Sequence, residues 1–390
     1  MSEVRFVTRE IGSLGKPSWR VKAFAGRPLE EGDVAQARDW GRRLEVDGYE
    51  KLVELLSSGL GEAQLPEIDD WAAVYAIRLL EQVGLDVVYD GEQKRTEMYD
   101  HVATFAGGFE PRGIVRSFDN KYYAKAAVVE PPSVPGPQDV EEFEFVRAHT
   151  DRDVKVPLTG AYTMEDWSYD EHYGHEGGLG ASAEHRYEAR RRFVHDVAVN
   201  VIRPNVEGLV AAGAEWIQID EPAATTKPKE VPLVVEGFNE ATRGVEARKS
   251  MHICFSDYSA LWPAVLELED CLELQLEFAN RDSRELGTGH EDRPGYAETL
   301  RLFRDHGYPN VGLGVLDIHS DFVEPAELVR DRILYAADVL GDPTRIQVNP
   351  DCGLRTRSWD VVYEKLANMV EGTRLAEREL NRAHAAPTAH

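Results

Sequence analysis

The sequence predicts an α/β fold in which eight parallel strands and the helices between them form one barrel. Eight short apolar runs that end in polar residues alternate with longer amphipathic patterns, which is typical of repeated strand–helix units. Polar side chains also gather where these runs end, as expected of loops at the carboxyl ends of barrel strands. We therefore expect residues 1–390 to form a single (β/α)8, or TIM, barrel.

The predicted strands are rich in β-branched and apolar residues. In chain order they are VTREIGSL (7–14), GLDVVYDG (84–91), VKVPLTGAY (154–162), AEWIQIDEP (214–222), SMHICFSD (250–257), CLELQLEFA (271–279), NVGLGVLDI (310–318) and RIQVNPDCG (345–353). Helices are predicted between them at 70–83, within 183–212, and at 258–269, 296–306, 326–340 and 359–380. In the segment 326–340, Val329, Ile333, Ala336 and Leu340 fall on one helical face.

The segment 96–153 is too long for a simple connection between two strands. It contains a hairpin-like piece, GIVRSFDNKYYAKAAVVEPP, and we expect it to form an insertion over the mouth of the barrel. The proline-rich stretch EPPSVPGPQD that follows is predicted to be a turn or an exposed loop. Residues 381–390 are predicted to be a flexible tail.

Composition excludes several classes of partner. The chain has 44 Lys plus Arg against 70 Asp plus Glu, and a net charge of −26 repels nucleic acid and anionic membranes. No run of apolar residues is long enough to span a membrane. The charged first residues, MSEVRFVTRE, do not resemble a signal peptide, so we expect a cytoplasmic protein whose three cysteines form no disulfide framework.

Polar and reactive side chains are concentrated at the predicted strand ends, which meet at one rim of a barrel. They are Glu10, Ser13, Asp90, Glu92, Thr159, Asp220, Glu221, His252, Cys254, Glu277, Asp317, His319, Asp351 and Cys352. Core packing does not account for so many histidines, cysteines and carboxylates in one place. The sequence therefore predicts a functional site at this rim.

A metal site is indicated by His252 and Cys254, which lie two apart on one strand and so face the same side. The pair alone is also compatible with a buried histidine beside a free cysteine. Glu277 and Cys352 at two other strand ends complete a four-ligand set that suits zinc. Because the chain has no CxxC pair, a catalytic ion is favoured over a structural one, and Cys271, at the start of its strand, is assigned to packing.

A substrate site is indicated by carboxylates and an amide-rich loop at the same rim. Asp220 and Glu221 are adjacent in a strand, so only one can face the site, and we favour Asp220; capping of a helix before Pro222 is the alternative. Glu92 follows a glycine turn, where a solvated side chain is the alternative, and Ser13 lies in a glycine-containing loop. Together they predict recognition of the ammonium and carboxylate of an amino acid.

A general acid is predicted at His319, which ends the seventh strand, with Asp317 two residues earlier to orient it. A histidine that only caps a helix is the alternative interpretation.

The motifs IGSLGKP, IQIDEPA, MHICF, LELQLEFAN, GVLDIHS and VNPDCGLRTR together resemble the C-terminal catalytic barrel of cobalamin-independent methionine synthase. The resemblance extends from Glu10 to Arg357 and suggests a short, core form of that family. It implies zinc held by His252, Cys254, Glu277 and Cys352.

The resemblance also implies the roles of the remaining site residues. Ser13 and the backbone near Ile11 would hold the carboxylate of homocysteine, and Glu92 and Asp220 its amino group. Trp167 is similar to the aromatic residue on which the pterin of methyltetrahydrofolate stacks, and His319 to the proposed acid of the family.

We therefore expect a zinc-dependent methyltransferase that forms methionine from homocysteine. The methyl donor is a methylcobamide, methyltetrahydrofolate or a methyl-carrying partner protein. Transfer to another thiol such as coenzyme M, as in epoxyalkane:coenzyme M transferase, is an alternative, but Glu92 and Asp220 would have no ammonium to bind. A non-catalytic zinc-stabilised binding barrel is a second alternative. A decarboxylase of the uroporphyrinogen type, which needs no zinc, is a third.

Overall fold

The computed structural model describes residues 3–116, 122–174, 178 and 180–385. Its strands are β1 (Val87–Val88), β2 (Gly107–Arg116), β3 (Tyr122–Ser133), β4 (Asp153–Val154), β5 (Val156–Thr159), β6 (Tyr169–Asp170), β7 (Trp216–Asp220), β8 (Arg248–Ile253), β9 (Cys271–Leu276), β10 (Asn310–Gly314) and β11 (Ile346–Asn349). Its helices are α1 (Ser18–Phe24), α2 (Glu31–Arg43), α3 (Tyr49–Ser58), α4 (Leu65–Gln82), α5 (Met98–Phe105), α6 (Val140–His149), α7 (Ala161–Trp167), α8 (Ala183–Val197), α9 (Arg203–Ala211), α10 (Val231–Thr242), α11 (Ala297–His306), α12 (Ala326–Leu340) and α13 (Trp359–Ala385).

Parallel strands form the centre of the fold. One sheet has the order β5-β7-β8-β9-β10-β11, and β1 pairs in parallel with β4. The segment predicted as the first strand contributes two parallel bridges, from Thr8 to Val348 of β11 and from Arg9 to Val87 of β1. All eight predicted strand segments therefore take part in parallel pairing, and the predicted α/β class is confirmed.

A buried ion pair ties the first of these segments to two later strands. The Arg9 guanidinium pairs with Glu273 of β9 and lies 3.3 Å from Oδ1 of Asn349 in β11. A Cβ at Gly312 in β10 would lie 2.7 Å from both Glu273 Oε1 and Asn349 Oδ1. Glycine at this position therefore leaves the space that the ion pair occupies.

Most of the predicted helices are present, but the interpretation was wrong in two places. Helices α1, α2, α3, α5, α6, α7 and α10 were not predicted. Helices α1 to α3 lie within a single connection that the sequence pattern left unassigned, and α5 and α6 lie within the predicted insertion. The predicted helix 258–269 is instead two short 3₁₀ turns, Tyr258–Leu261 and Ala264–Glu267. Pro263 lies between them, and because proline has no backbone N–H and disfavours helical geometry in the preceding residue, a continuous helix does not form.

The predicted hairpin is present in the segment 96–153. Strands β2 and β3 pair antiparallel from Phe109 with Val128 to Arg116 with Tyr122. Residues 117–121, which the prediction included in the hairpin, lie outside the described residues. The stretch predicted as a loop begins within β3, which extends to Ser133. Helices α5 and α6 belong to the same segment.

Helix α13 extends to Ala385 and so continues into the segment predicted as a tail, whose residues 386–390 lie outside the described ones. Asn381 of this helix exchanges two hydrogen bonds with the backbone of Val4, at 2.8 and 3.0 Å. Among the helices that the structure describes, none combines the length and apolar character needed to cross a bilayer.

Candidate metal centre

Strands β8 and β11 bring three metal-binding side chains together at their carboxyl ends. His252 lies in β8, Cys254 comes directly after it, and Cys352 follows β11. One ligand atom of each residue lies within 4.8 Å of the others. His252 and Cys254 are buried, whereas Cys352 is partly exposed. An imidazole and two thiols at these distances can bind one ion.

The environment of His252 fixes which ring nitrogen is available. Nδ1 lies 3.2 Å from the backbone carbonyl oxygen of Gln275 in β9, and a carbonyl can only accept. Nδ1 therefore carries a proton, and Nε2 is the ring nitrogen that remains to face a metal ion. Nε2 lies 3.3 Å from Sγ of Cys352. A metal-binding histidine is usually oriented in this way, with its other nitrogen bonded to a carbonyl.

Glu277 follows β9, the neighbour of β8, and is buried. Its Oε2 accepts hydrogen bonds from the backbone N–H of Phe255 at 2.9 Å and from the side chain of Asn280 at 3.1 Å. Its Oε1 has no hydrogen-bond partner in the part of the chain that the structure describes. A buried carboxylate oxygen without a donor is costly, and coordination of a cation would satisfy it.

The environment of Cys254 favours its neutral thiol. A hydrogen bond with Cys352, together with burial, raises the pKa of the Cys254 thiol well above its usual range. Thiolates are the form that binds metals, so a positive charge beside Cys254 would favour its deprotonation. The donor set of one imidazole, two sulfurs and one carboxylate fits zinc, because thiolates exclude magnesium and calcium.

Two further residues fix the loops that carry these ligands. The Tyr258 hydroxyl donates to the carbonyl of Ile253 at 3.0 Å and accepts from the N–H of Glu277 at 2.9 Å, so it joins the ends of β8 and β9. Asp351 accepts hydrogen bonds from three consecutive backbone N–H groups, residues 278 to 280, at 2.7 to 2.9 Å. Its carboxylate therefore anchors the segment after Glu277 beside Cys352.

A cavity of about 90 Å³ opens beside the cluster, and we call it the metal-centre cavity. The predicted site residues among those that line it are Ile11, Ser13, Glu92, Trp167, Asp220, His252, Cys254 and Cys352. One water needs roughly 10–15 Å³ of such space, so a molecule of amino-acid size fits. The structure therefore brings three of the four residues predicted to bind the metal, and all of those predicted to bind the substrate, to one place. Glu277 is the predicted ligand that does not line this cavity.

Two carboxylates lie at one side of this cavity. Asp220 pairs in register with His252, and its Oδ1 accepts a hydrogen bond from the Gln218 side chain at 2.6 Å. Burial raises the pKa of Asp220 to about 7. Glu92 approaches Gly12 so closely that a Cβ there would lie 2.5 Å from Oε1. Glycine in the loop of Ser13 thus lets the Glu92 carboxylate enter the cavity.

Glu221 points away from the cavity, as strand alternation requires. Its carboxylate accepts hydrogen bonds from the backbone N–H groups of Tyr162 and Thr163, at 3.1 and 2.8 Å, and from the Thr163 hydroxyl at 2.6 Å. It therefore holds the first turn of α7, the helix that ends at Trp167. The ring of Trp167 stacks on Tyr123 of the hairpin, with 5.2 Å between centroids.

His319 lies in the loop after β10. Its Nε2 is 3.8 Å from Oε1 of Glu277, which places the ring beside the metal cluster. Asp317 accepts hydrogen bonds from the backbone N–H of His319 at 2.9 Å and from the Ser320 hydroxyl at 2.9 Å. Asp317 therefore fixes the backbone of this loop.

The sequence was compared with protein families and with curated proteins. The model of the family described as "Cobalamin-independent synthase, Catalytic domain" matches residues 50–375, more than half of the chain. The chain belongs to this family. A methionine synthase from Thermoplasma volcanium is 34% identical over 381 residues, covering 93% of this chain and 96% of the relative. One from Pyrococcus horikoshii is 31% identical, covering 96% of this chain and 94% of the relative.

The chain and these members of the cobalamin-independent synthase family are therefore similar along almost their whole lengths. The predicted resemblance is confirmed, as is the prediction of an enzyme of the methyltransferase class. A solved B12-independent methionine synthase from Shewanella sp. W3-18-1, in complex with selenomethionine, is 23% identical with a TM-score of 0.69, covering 97% of this chain and 99% of that one. At this identity the likeness shows a common fold.

Several residues around the centre of this synthase were not assigned a role from the sequence. Phe255 and Arg355 line the metal-centre cavity, and each closely follows a predicted ligand in the chain, which is the signal that could have found them. Glu97 and Met98 also line it. They belong to the start of α5 inside the long insertion, where strand-end reasoning gives no prediction.

Proposed function

We propose that this chain transfers a methyl group to the thiol of homocysteine and so forms methionine, with zinc bound by His252, Cys254, Glu277 and Cys352. The observation that carries the proposal is the group of His252, Cys254 and Cys352, with ligand atoms within 4.8 Å of one another, beside a cavity that two carboxylates line. Relatives named methionine synthase that match nearly the whole chain support the same reaction.

We further propose that the parallel strands close into one (β/α)8 barrel and that residues 1–390 are a single domain. The bridges of Thr8 with Val348 and of Arg9 with Val87 support closure, because they join the two ends of the strand order. The segment 96–153 would then be an insertion over the barrel mouth. The stacking of Tyr123 on Trp167, which lines the cavity, supports that position.

Bound zinc would supply the positive charge that keeps the homocysteine thiol deprotonated and reactive at neutral pH. Among the ligands, Glu277 is the one best suited to yield its position to an incoming sulfur, because oxygen donors suit zinc less well than thiolates do. Its Oε2 already has two donors, so the carboxylate stays in place after Oε1 is released.

The amino-acid part of homocysteine is assigned to the walls of the metal-centre cavity. Glu92 and Asp220 would bind the ammonium group, and Ser13 with the backbone near Ile11 would bind the carboxylate. Two carboxylates with no ammonium to bind would repel the sulfonate of coenzyme M, which disfavours that alternative. Held at both groups, homocysteine would have its thiol beside the cluster of His252, Cys254 and Cys352.

His319 would donate a proton to the leaving nitrogen of a folate donor, since an amine anion is a poor leaving group. A methylcobamide needs no such proton. Trp167 offers a flat surface on which the pterin of methyltetrahydrofolate can stack. A folate donor therefore requires His319 as the proton donor, whereas a methylcobamide or a methyl-carrying protein does not.

Methionine formation by the purified, zinc-loaded protein tests the proposal. Homocysteine is offered with methylcobalamin and with methyltetrahydrofolate in parallel, coenzyme M replaces homocysteine in a third reaction, and products are measured by mass spectrometry. Methionine from either donor supports the proposal and identifies the donor. Methylation of coenzyme M alone would overturn it. Binding of zinc without affinity for any thiol would instead favour a structural metal in a binding protein.

A further inference from the structure

A second cavity, of about 420 Å³, adjoins the metal-centre cavity, and Arg355 lines both. We call it the side cavity. It is lined by Leu14, Gly15, Lys16, Pro17, Val21, Gln36, Trp40, Arg355, Arg357, Ser358, Trp359 and Asp360. Most of these residues follow the first and the last strand segments. Because Thr8 pairs with Val348, the two loops leave neighbouring strand ends at the rim that carries the metal centre.

Three cations face the side cavity of a chain whose net charge is −26. Lys16 Nζ donates to a backbone carbonyl, that of Glu92, at 2.9 Å. The Arg355 guanidinium comes no closer than 3.8 Å to the carboxylate of Glu97. Arg357 pairs at 2.7 Å with Asp321, whose side chain is 72% exposed. The positive charge here is thus only partly compensated within the protein.

Two observations indicate that an anion belongs in this space. Nε of Arg357 is buried and has no hydrogen-bond partner among the residues that the structure describes. A buried donor without a partner is costly and is normally satisfied by a ligand or water. Burial and the charges of Arg20 and Arg355 also lower the pKa of Lys16 to about 8, so a negative charge placed beside Lys16 would favour its charged form.

Two tryptophans form another part of the wall, which also contains Gln36, Ser358 and the acidic Asp360. Trp40 and Trp359 are buried and meet edge to face, with 5.4 Å between centroids. The Trp359 indole N–H donates to the carbonyl of Gly15 at 2.6 Å, which fixes the tryptophan pair against the loop of Lys16. A cavity with cations at one side and rigid aromatic rings at the other suits an organic molecule that carries an oxyanion.

We infer that the side cavity binds an oxyanion arm of the methyl donor, either a carboxylate or a phosphate, while the methyl group enters the metal-centre cavity. This inference rests on the proposed function. The metal-centre cavity, at about 90 Å³, has room for an amino acid, so the body of a larger donor must lie outside it. The side cavity shares Arg355 with that space and is the adjoining volume.

Titration calorimetry of the zinc-loaded protein with citrate and with inorganic phosphate tests the inference. Arg357→Met removes a cation that lines the side cavity and not the metal-centre cavity. Arg378→Met is the matched control, because Arg378 is also paired with a half-exposed acid, Glu371, but lies far along α13. We expect Arg357→Met to weaken binding of at least one anion about tenfold or more, Arg357→Lys to weaken it less, and Arg378→Met to have no effect.

The Michaelis constants for the methyl donor and for homocysteine complete the test. Arg357→Met should raise the constant for the donor and leave that for homocysteine unchanged. If the protein binds citrate more tightly than phosphate, a donor with a carboxylate arm is indicated. If it binds phosphate more tightly than citrate, a donor with a phosphodiester is indicated. Equal anion binding by Arg357→Met and the unmodified protein overturns the inference, even if methionine is formed. If the protein binds an anion through Arg357 but forms no methionine, the anion site is supported and the proposed function is contradicted instead.

Discussion

Lys365 and Glu324 form an ion pair at 2.7 Å in which neither side chain is exposed to solvent. Lys365 also donates to the carbonyl of Asp317 at 2.8 Å, and Glu324 accepts from the N–H of Asp317 at 2.8 Å. Through this pair, helix α13 holds the loop that carries His319. The last helix of the chain thus contributes to the metal centre without touching it.

Replacing Lys365 by Met should therefore lower the free energy of unfolding by up to about 3–5 kcal/mol, because Glu324 would remain buried with only the Arg332 guanidinium, at 3.8 Å, as a nearby cation. The double variant Lys365→Met, Glu324→Gln should recover part of this loss. Urea unfolding of both variants measures the effect. A loss below about 1 kcal/mol in the single variant would show that water or another cation reaches Glu324.

Cys352→Ser should reduce zinc affinity by more than about 100-fold, since loss of a residue that merely supports a ligand already costs 10–100-fold. Cys271→Ser is the control, because Cys271 is buried at the start of β9, at the opposite end of the strand from Glu277. Metal content is measured after dialysis against a weak chelator. Equal zinc in both variants would contradict the assigned ligand set.

Asp220→Asn should keep zinc and weaken homocysteine binding about tenfold or more, because a hydrogen bond to a charged group contributes about 1.5–3 kcal/mol. Glu221→Gln, the neighbouring change, should instead lower stability through the first turn of α7 and leave homocysteine affinity intact. Calorimetry and thermal unfolding of the two variants separate these effects. If Asp220→Asn bound homocysteine normally, the assignment of Asp220 to the amino group of homocysteine would be wrong.

Asp90 should make stability depend on pH. Burial, with the nearby charge of Glu142, raises its pKa from 3.8 to about 8. The protonated side chain therefore favours the folded state, and this contribution is lost as pH rises from about 4 to about 8. Asp90→Asn should thus become progressively more stable than the unmodified protein across that range, with no further divergence above it. Exposed Asp270→Asn should show no such trend in urea midpoints.

His319→Asn should abolish turnover with methyltetrahydrofolate and reduce turnover with methylcobalamin much less, because only the folate leaves as an amine that needs a proton. Zinc content should not change. Equal losses with both donors would indicate that His319 positions substrate or metal and does not transfer a proton.

The sequence predicted the orientation of those site residues that depends only on the alternation of side chains along a strand. His252 and Cys254 share a face of β8, and Asp220 and Glu221 point to opposite sides of β7, because strand geometry alone decides it. The role proposed for Trp167 was implied by the resemblance alone, and its contact with Tyr123 of a distant hairpin is a tertiary contact that strand geometry does not predict. The prediction of a helix at 258–269 was wrong because it relied on apolar periodicity and did not consider Pro263.

Residues that hold other site residues in place could not be recognised from the sequence pattern. Lys365 lies in a helix whose pattern predicts an exposed face, and nothing local shows that its partner is Glu324, at a separation of 41 residues. Arg357 likewise belongs to a motif that resembles the family, yet its orientation toward a second cavity follows from the packing of two loops. Such pairings are set by tertiary contacts, which periodicity does not encode.

The bridge between Thr8 and Val348 has a consequence for biosynthesis. Arg9 and Asn349, which meet in the folded protein, are 340 residues apart. At about 5–20 residues per second, a ribosome needs roughly 20–70 s to deliver the second after the first. During that time the N-terminal segment lacks its final neighbour, and Cys352 is not yet made. The cluster of His252, Cys254 and Cys352 therefore cannot form until residue 352 has been synthesised, and the nascent chain must remain in a state able to accept its last strand.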